Sequence, residues 1–169
     1  RHPRELPLMS DRIRSYLAKR ADLNRHEVQG LASTTDVDTV IVIPALAEEN
    51  SLPATLESLS RCNADRLAHT AVLVVVNNRP ADLVEPAILA ENQRTFTWLL
   101  SKPCPALRLA CIDASSPDRE LARKEGVGGA RKIGLDHAVH LLLESQSPSP
   151  LLVCLDADTL VESSYLDAL

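Results

Sequence analysis

Aromatic residues are scarce in this 169-residue sequence, and their scarcity argues against one class of ligand. Only four are present: Tyr16, Phe96, Trp98 and Tyr165. Proteins that bind single-stranded nucleic acid stack the bases on aromatic side chains, and proteins that bind duplexes need an excess of positive charge. The formal net charge of this chain is -5 at pH 7. We therefore expect no nucleic-acid partner.

Long apolar runs and closely spaced cysteines are also missing. No apolar run approaches the roughly 20 residues that cross a bilayer, and no signal-peptide pattern opens the chain. The four cysteines, at positions 62, 104, 111 and 154, form no Cys-x-x-Cys pair, so we predict reduced thiols. These features indicate a soluble globular protein and predict a cytoplasmic location.

A basic segment opens the chain. Residues 1–25 hold seven Lys or Arg against three acidic residues, and apolar residues recur at helical spacing after Ser10, a candidate helix cap. These apolar positions are Ile13, Tyr16, Leu17 and Ala21. We predict an amphipathic helix and linker over residues 1–36, followed by one domain over residues 37–169. The helix is expected to pack on the domain, and the alternative is peripheral contact with an anionic membrane surface.

Four short apolar runs predict strands. They are rich in Val, Ile and Leu without alternation, as in strands covered on both faces, and they span 39–44, 71–76, 107–112 and 151–155. Helices are predicted between them, one starting from a cap at Asn50 or Ser51, one over 81–93 with an interruption at Pro86, and one over 129–144. Alternating strands and helices indicate an α/β domain with a parallel sheet.

Polar residues follow each predicted strand. They are Glu48 and Glu49, then Asn77, Asn78 and Arg79, then Asp113, Ser115 and Ser116, and finally Asp156 and Asp158. Ligands of parallel α/β sheets bind beyond the carboxyl ends of the strands, so these segments predict a site. The two aspartates at the end of LLVCLDADTL repel each other unless a cation or a proton lies between them. Their hard oxygens suit Mg²⁺ or Mn²⁺, with phosphate oxygens and water completing the shell.

The segment EGVGGARKIGLDHA offers cations to a phosphate. Two glycines precede a predicted helix whose first turn holds Arg131 and Lys132, and helix amides together with positive side chains favour phosphate binding. The segment is neither a P-loop, because no Gly-Lys-Ser/Thr follows, nor a dinucleotide fingerprint, because the third glycine is missing. His137 and His140 lack a third metal ligand in view and are predicted to have surface or packing roles.

Four segments together resemble the family 2 glycosyltransferases. VIVIPALAEENSLPATLESL looks like the first strand, loop and helix of that family, and VVVNNR looks like the end of its second strand. GGARKIGLDHA resembles its Gly-Ala-Arg-Asn-x-Gly helix start, and LLVCLDADTLVESSYL resembles its Asp-x-Asp segment. The likeness extends from Val40 to Leu166 with the segments in the family's order.

This resemblance implies a GT-A fold, a mostly parallel Rossmann-like sheet with helices on both faces. It also implies a nucleotide-diphosphate sugar, UDP- or GDP-linked, as the donor for transfer to a hydroxyl acceptor. Pro44, Ala45 and Glu48 would line the nucleoside site. Asn77 and Asn78 stand where the family usually has an acidic pair that reads the base.

The remaining implied residues surround the diphosphate. Arg131 would approach the base or the diphosphate, and Asp156 would lie near the ribose or the sugar. Asp158 would be the principal ligand of Mg²⁺ or Mn²⁺, with Asp156 beside it. The metal would act as a Lewis acid that neutralises the departing diphosphate.

The sequence also departs from the family pattern. Leu46 and Ala47 replace the usual aromatic residue and Asn, and the two asparagines after the second strand leave the nucleobase undefined. The chain begins at Arg1, and no acceptor-binding half with a catalytic base is visible after Asp158. We therefore expect the donor-binding part of a longer enzyme.

Three other interpretations stay open. LLVCLDADTL also resembles the opening motif of the haloacid dehalogenase-like phosphohydrolases, in which the first Asp is a nucleophile, although that family places the motif on its first strand. A nucleotidyltransferase would need a glycine-rich loop after the first strand, where this chain has ALAEEN. A non-catalytic nucleotide-sugar-binding domain would need no base.

Overall fold

A computed structural model describes residues 6–169. The helices are α1 (Leu6–Arg20), α2 (Leu52–Ser60), α3 (Ala64–Ala68), α4 (Pro86–Leu100) and α5 (Val127–Ser145). The strands are β1 (Val28–Gln29), β2 (Thr39–Ala45), β3 (Thr70–Asn77), β4 (Arg108–Ala114) and β5 (Leu151–Cys154). Short 3₁₀ turns lie at Ala81–Leu83 and Tyr165–Asp167.

The five strands form one sheet in the order β1-β4-β3-β2-β5. Strands β2 to β5 are mutually parallel, as their apolar runs predict, and β1 pairs antiparallel with β4. Val42 at the centre of β2 lies opposite Leu73 of β3 and Cys154 of β5. The chain is therefore an α/β protein with a mostly parallel sheet.

The strand order reverses at β2, and this reversal fixes where a ligand cleft forms. The chain moves outward from β2 to β3 and β4, and then returns to place β5 on the other side of β2. The connections on the two sides of β2 leave the sheet in opposite directions, which opens a crevice at the carboxyl ends of the strands. The crevice lies between β2 and β5.

Helices cover both faces of the sheet. Ile43 of β2 belongs to one apolar cluster with Leu56 of α2 and Leu99 of α4. Its neighbour Val42 belongs to a second cluster with Ala138 of α5. Because successive strand residues point to opposite faces, the uninterrupted apolar run of β2 supplies both cores.

Several element boundaries differ from the predictions. Pro86 begins α4 instead of interrupting it, because a proline at the first helical position loses no hydrogen bond that the helix needs. Helix α5 starts two residues before Gly129. Among residues 6–169 no α-helix begins near Leu160, so Asp156 and Asp158 do not cap a helix there. The helix predicted after Ser10 already begins at Leu6.

The N-terminal helix packs against the domain. Leu17 is buried, and the Tyr16 hydroxyl donates to Asp136 of α5 over 3.0 Å. All four cysteines are free thiols, as predicted. Among residues 6–169, no helix has both the length and the apolar character that a membrane span requires.

Candidate functional site

A cleft of about 800 Å³ lies at the carboxyl ends of β2, β3 and β5, against the first turns of α4 and α5. Seven of the nine residues that the sequence singles out as site residues line it. They are Pro44, Glu48, Asn77, Asn78, Arg131, Asp156 and Asp158. They come from four segments separated by up to about a hundred residues, and the parallel sheet brings them together.

Two of the predicted residues do not line the cleft, and the geometry of their elements explains both. Ala45 is buried in β2, and strand alternation turns it to the opposite face from Pro44. Lys132 lies about 100° around α5 from Arg131 and faces α1. Its ammonium group donates to the Asp136 carboxylate over 2.5 Å and to the Arg20 carbonyl over 2.9 Å. Lys132 therefore anchors the N-terminal helix, and the Asp136 carboxylate raises its pKa.

An ion pair lines the cleft. Arg131 Nη2 lies 2.6 Å from Asp156 Oδ1, so the cation beside the first aspartate is this arginine. The two side chains are 39% and 60% exposed. Solvent screening limits such a pair to about 0 to 1 kcal/mol. A ligand that supplies a better partner to either group can therefore separate them at little cost.

The second aspartate has no such partner. Asp158 is exposed, and no side chain among residues 11–169 bonds to its carboxylate. No group of three or more His, Cys, Asp or Glu in the same part of the chain is arranged to hold a metal. Two carboxylates nevertheless fit a Mg²⁺ or Mn²⁺ ion that obtains its other ligands from phosphate oxygens and water. The donor set suits a metal that arrives with its ligand better than a resident ion.

The wall of the cleft is acidic. Five carboxylates line it, those of Glu48, Asp82, Glu85, Asp156 and Asp158, against the two guanidinium groups of Arg79 and Arg131. Such a lining repels a bare diphosphate and attracts cations. A diphosphate that carries a divalent ion would meet both requirements.

Asn77 and Asn78 form the floor of the cleft and are almost completely buried. The Asn77 amide donates to the carbonyls of Ala45 and Val75, over 3.0 and 3.1 Å. The Asn78 amide donates to the carbonyls of Arg79 and Ser115, over 2.9 and 3.1 Å. Both side chains therefore donate their N–H groups to carbonyls of the protein, so neither has a free donor for recognising a nucleobase.

Asn92 is a further residue beside the cleft, and it is not among the residues predicted from the sequence. This residue lies on α4 and is 1% exposed. Its side-chain amide nitrogen, Nδ2, donates to the backbone oxygen of Asn77 over 3.0 Å and to Asn78 Oδ1 over 2.9 Å. Its Oδ1 accepts from the Ala47 amide over 3.0 Å. A signal was available, because Asn92 shares the buried face of α4 with Thr95 and Leu99, three and seven residues further on.

The polar residues at the end of β4 and just after it have a local structural role. Asp113 Oδ1 accepts from the amides of Ser115 and Ser116, over 3.0 and 2.9 Å, and Arg119 lies 3.6 Å from its other oxygen. Burial alone would raise the pKa of Asp113, but hydrogen bonds from the two serines outweigh it and lower that pKa. The loop then reaches the cleft through Leu121.

The two glutamates after β2 have different environments. Glu48 lines the cleft, and its carboxylate accepts from the Ser51 hydroxyl at the start of α2. Glu49 instead faces α4, where Arg94 donates to both of its oxygens over 2.9 and 2.6 Å. That hydrogen-bonded arginine lowers the pKa of Glu49. Glu48 is therefore the glutamate that a ligand in the cleft would meet.

The fold and the cleft together define an α/β protein with a candidate ligand site at the switch point of its sheet. Comparisons of the chain with protein-family models, with curated proteins and with solved structures find no match. The function must therefore be argued from the chemistry of the cleft.

Proposed function

We propose that the chain binds a nucleotide-diphosphate sugar together with Mg²⁺ or Mn²⁺ in the strand-end cleft. In this proposal it is the donor-binding part of a GT-A glycosyltransferase. One observation carries the proposal: the separate segments that resemble family 2 glycosyltransferases contribute seven residues to a single cleft at the switch point.

The charges of the cleft support a metal-bound diphosphate over a free one. Five acidic and two basic side chains line the cleft, so a diphosphate that carries a cation meets less repulsion there than a free one. Asp158 and Asp156 would hold that cation. Arg131 would bond to the phosphate oxygens once its own partner, Asp156, turns to the metal. The metal, when bound, would stabilise the negative charge of the leaving diphosphate.

The nucleoside would lie against the loop after β2. Pro44 and Glu48 form this wall, and Asn78 with Asn77 forms the floor. Since the N–H groups of both asparagines are already bonded, the floor would contribute shape and carbonyl oxygens. We therefore expect weaker discrimination between UDP and GDP than a free carboxylate would give.

Calorimetric titration tests the proposal directly. UDP and GDP are titrated into the protein with and without Mn²⁺, and the metal is expected to increase the affinity for both nucleotides. Arg131→Ala should weaken binding by about 1.5 to 3 kcal/mol, which is the loss of a hydrogen bond to a charged group. Arg61→Ala is the matched control, because it removes another exposed, ion-paired arginine at the far end of α2. Equal affinities of the two variants would contradict the role of Arg131.

A second pair of variants tests the metal. Asp158→Asn should remove most of the gain in UDP affinity that Mn²⁺ produces, because it deletes a charged ligand. Asp167→Asn, an equal charge change at an exposed residue of the 3₁₀ turn Tyr165–Asp167, should keep that gain. Nucleotide binding that ignores the metal in all these proteins would refute the metal site. Hydrolysis of p-nitrophenyl phosphate by wild type, abolished in Asp156→Asn, would instead support a phosphohydrolase.

A further inference from the structure

Asn92 joins two walls of the cleft without lining it. Its Oδ1 accepts a hydrogen bond of 3.0 Å from the backbone amide of Ala47, which lies in the loop after β2. Its amide donates to Asn77 O and Asn78 Oδ1, over 3.0 and 2.9 Å, at the end of β3. The side chain is 1% exposed, so water cannot replace these bonds, and all its N–H groups are used.

Asn78 extends this connection to the loop after β4. Its amide donates to Ser115 O over 3.1 Å, and its backbone carbonyl accepts from the Leu121 amide over 2.9 Å. The side chains of Asn92 and Asn78 therefore connect the loops after β2, β3 and β4 through hydrogen bonds. Each of these three loops contributes residues to the cleft or its floor.

The loop after β2 needs such a tie because its backbone is in an unfavourable conformation. Ala47 has a φ of 55°, in the left-handed region that a residue with a Cβ avoids. Surrounding contacts must hold a residue there. The bond from the Ala47 amide to Asn92 does so, and the residues on either side of Ala47, Leu46 and Glu48, both line the cleft.

We infer that Asn92 is a positioning residue that holds the loop after β2 in its ligand-competent conformation and so raises affinity for the nucleotide without touching it. This inference rests on the proposed function. If the loop is released and is competent only about a tenth of the time, the apparent dissociation constant rises about tenfold. The effect belongs to the loop, and global stability does not have to change by the same amount.

The test compares three variants of α4 by calorimetric titration of UDP with Mn²⁺. Asn92→Leu replaces the amide by an apolar side chain of similar size and should weaken binding about tenfold. Thr95→Val is the matched control: it also replaces a buried polar group one turn away, and the Thr95 hydroxyl has no partner among the described residues. Leu99→Ala destabilises the same helix through a cavity and should leave the affinity of the folded protein unchanged.

A second readout separates positioning from general damage. Asn92→Asp should bind weakly at pH 8, where a buried carboxylate would face the carbonyl of Asn77. At lower pH the introduced carboxyl group becomes neutral and regains one hydrogen-bond donor. The dissociation constant of Asn92→Asp, divided by that of wild type, should therefore fall from pH 8 to pH 6. A ratio that stays constant, or Asn92→Leu binding as tightly as Thr95→Val, would overturn the inference.

Amide hydrogen exchange distinguishes failure of this inference from failure of the proposed function. In Asn92→Leu the Ala47 amide loses its acceptor and should exchange at least tenfold faster, whereas in Thr95→Val it should not. If wild type binds no nucleotide, the proposed function fails, and the claimed effect of Asn92 on affinity fails with it. The exchange result can still show that Asn92 holds the loop. If wild type binds and the Ala47 exchange rate is unchanged in Asn92→Leu, the positioning role alone is refuted.

Discussion

Gly134 allows α5 to lie directly on the sheet, and adding one methyl group there should destabilise the protein. A Cβ at this position would lie 2.3 Å from Val42 Cγ1 and 2.9 Å from Val75 Cγ2. Both valines are fully buried, on β2 and β3. The helix cannot easily move away, because Ala130 and Ala138, one turn before and after, are also fully buried in the same cluster.

Two effects of opposite sign set the magnitude. Forcing a methyl group into a packed core costs about 1 to 3 kcal/mol, and replacing Gly by Ala within a helix gains up to about 1 kcal/mol. A contact of 2.3 Å is too short for a small shift to relieve. We therefore expect Gly134→Ala to lower the free energy of unfolding by about 1 to 2 kcal/mol.

Gly128→Ala is the matched control within the same helix. A Cβ at Gly128 meets no atom within 4 Å, so only the helix gain remains, and we expect a stabilisation of about 0.5 kcal/mol. Urea denaturation followed by circular dichroism measures both variants, and their midpoints should shift in opposite directions at constant slope. If Gly134→Ala proved as stable as Gly128→Ala, the close approach of α5 to the sheet would be refuted.

Three further predictions follow from buried and exposed titratable groups. Burial, together with the charges of neighbouring histidines, lowers the pKa of His137 to about 4, so the unfolded chain takes up the proton first and stability should fall by up to about 3 kcal/mol from pH 6.5 to pH 4. His137→Leu should flatten this slope in urea titrations, whereas His69→Gln, at an exposed histidine that does not act on His137, should not. Asp113→Asn should cost about 1 to 2 kcal/mol at pH 7, because the charged acceptor that the serine amides and hydroxyls favour is lost. A thiol reagent should label the exposed Cys154 in the native protein, whereas Cys111, whose pKa burial raises to about 12, should react only after unfolding.

The sheet was predictable because its strands carry a strong local signal. Runs such as TVIVIP and AVLVVV predict strands buried on both faces, and β2 and β3 are buried throughout. Strand β1 has only two residues, which is too short for any periodic pattern, and its pairing with β4 depends on tertiary contact. Pro86 was misjudged because a proline either ends a helix or starts one, and only the neighbouring 3₁₀ turn decides between them.

The site was predictable by segment but less so by side chain. The rule that ligands bind at strand ends identifies the loops, yet strand alternation separates Pro44 from Ala45 and helical rotation separates Arg131 from Lys132. Both distinctions follow from periodicity. Asn92 is different, because the loop that it holds lies 45 residues away in sequence, and no local pattern indicates that contact.

The ion pair between Arg131 and Asp156 yields a prediction for Asp156→Asn whose sign depends on whether the metal is present. In the described structure Asp156 is paired with the arginine that would bind a diphosphate. The same contact engages a carboxylate oxygen that would bind a metal. A metal that binds Asp156 would free Arg131 for the diphosphate, and a diphosphate that binds Arg131 would free Asp156 for the metal. Each ligand should therefore bind more tightly when the other is present.

Asp156→Asn isolates this coupling. It removes both the competing partner of Arg131 and one negative charge, so UDP affinity without metal should rise by up to about fivefold, the equivalent of an exposed ion pair worth up to about 1 kcal/mol. With Mn²⁺ the same variant should bind more weakly than wild type, because it has lost a metal ligand. Asp158→Asn makes the same change in charge but leaves the ion pair intact, so its metal-free affinity should rise less. Should calorimetry find equal metal-free affinities for the two variants, the pair does not restrain Arg131, and the effect is one of net charge alone.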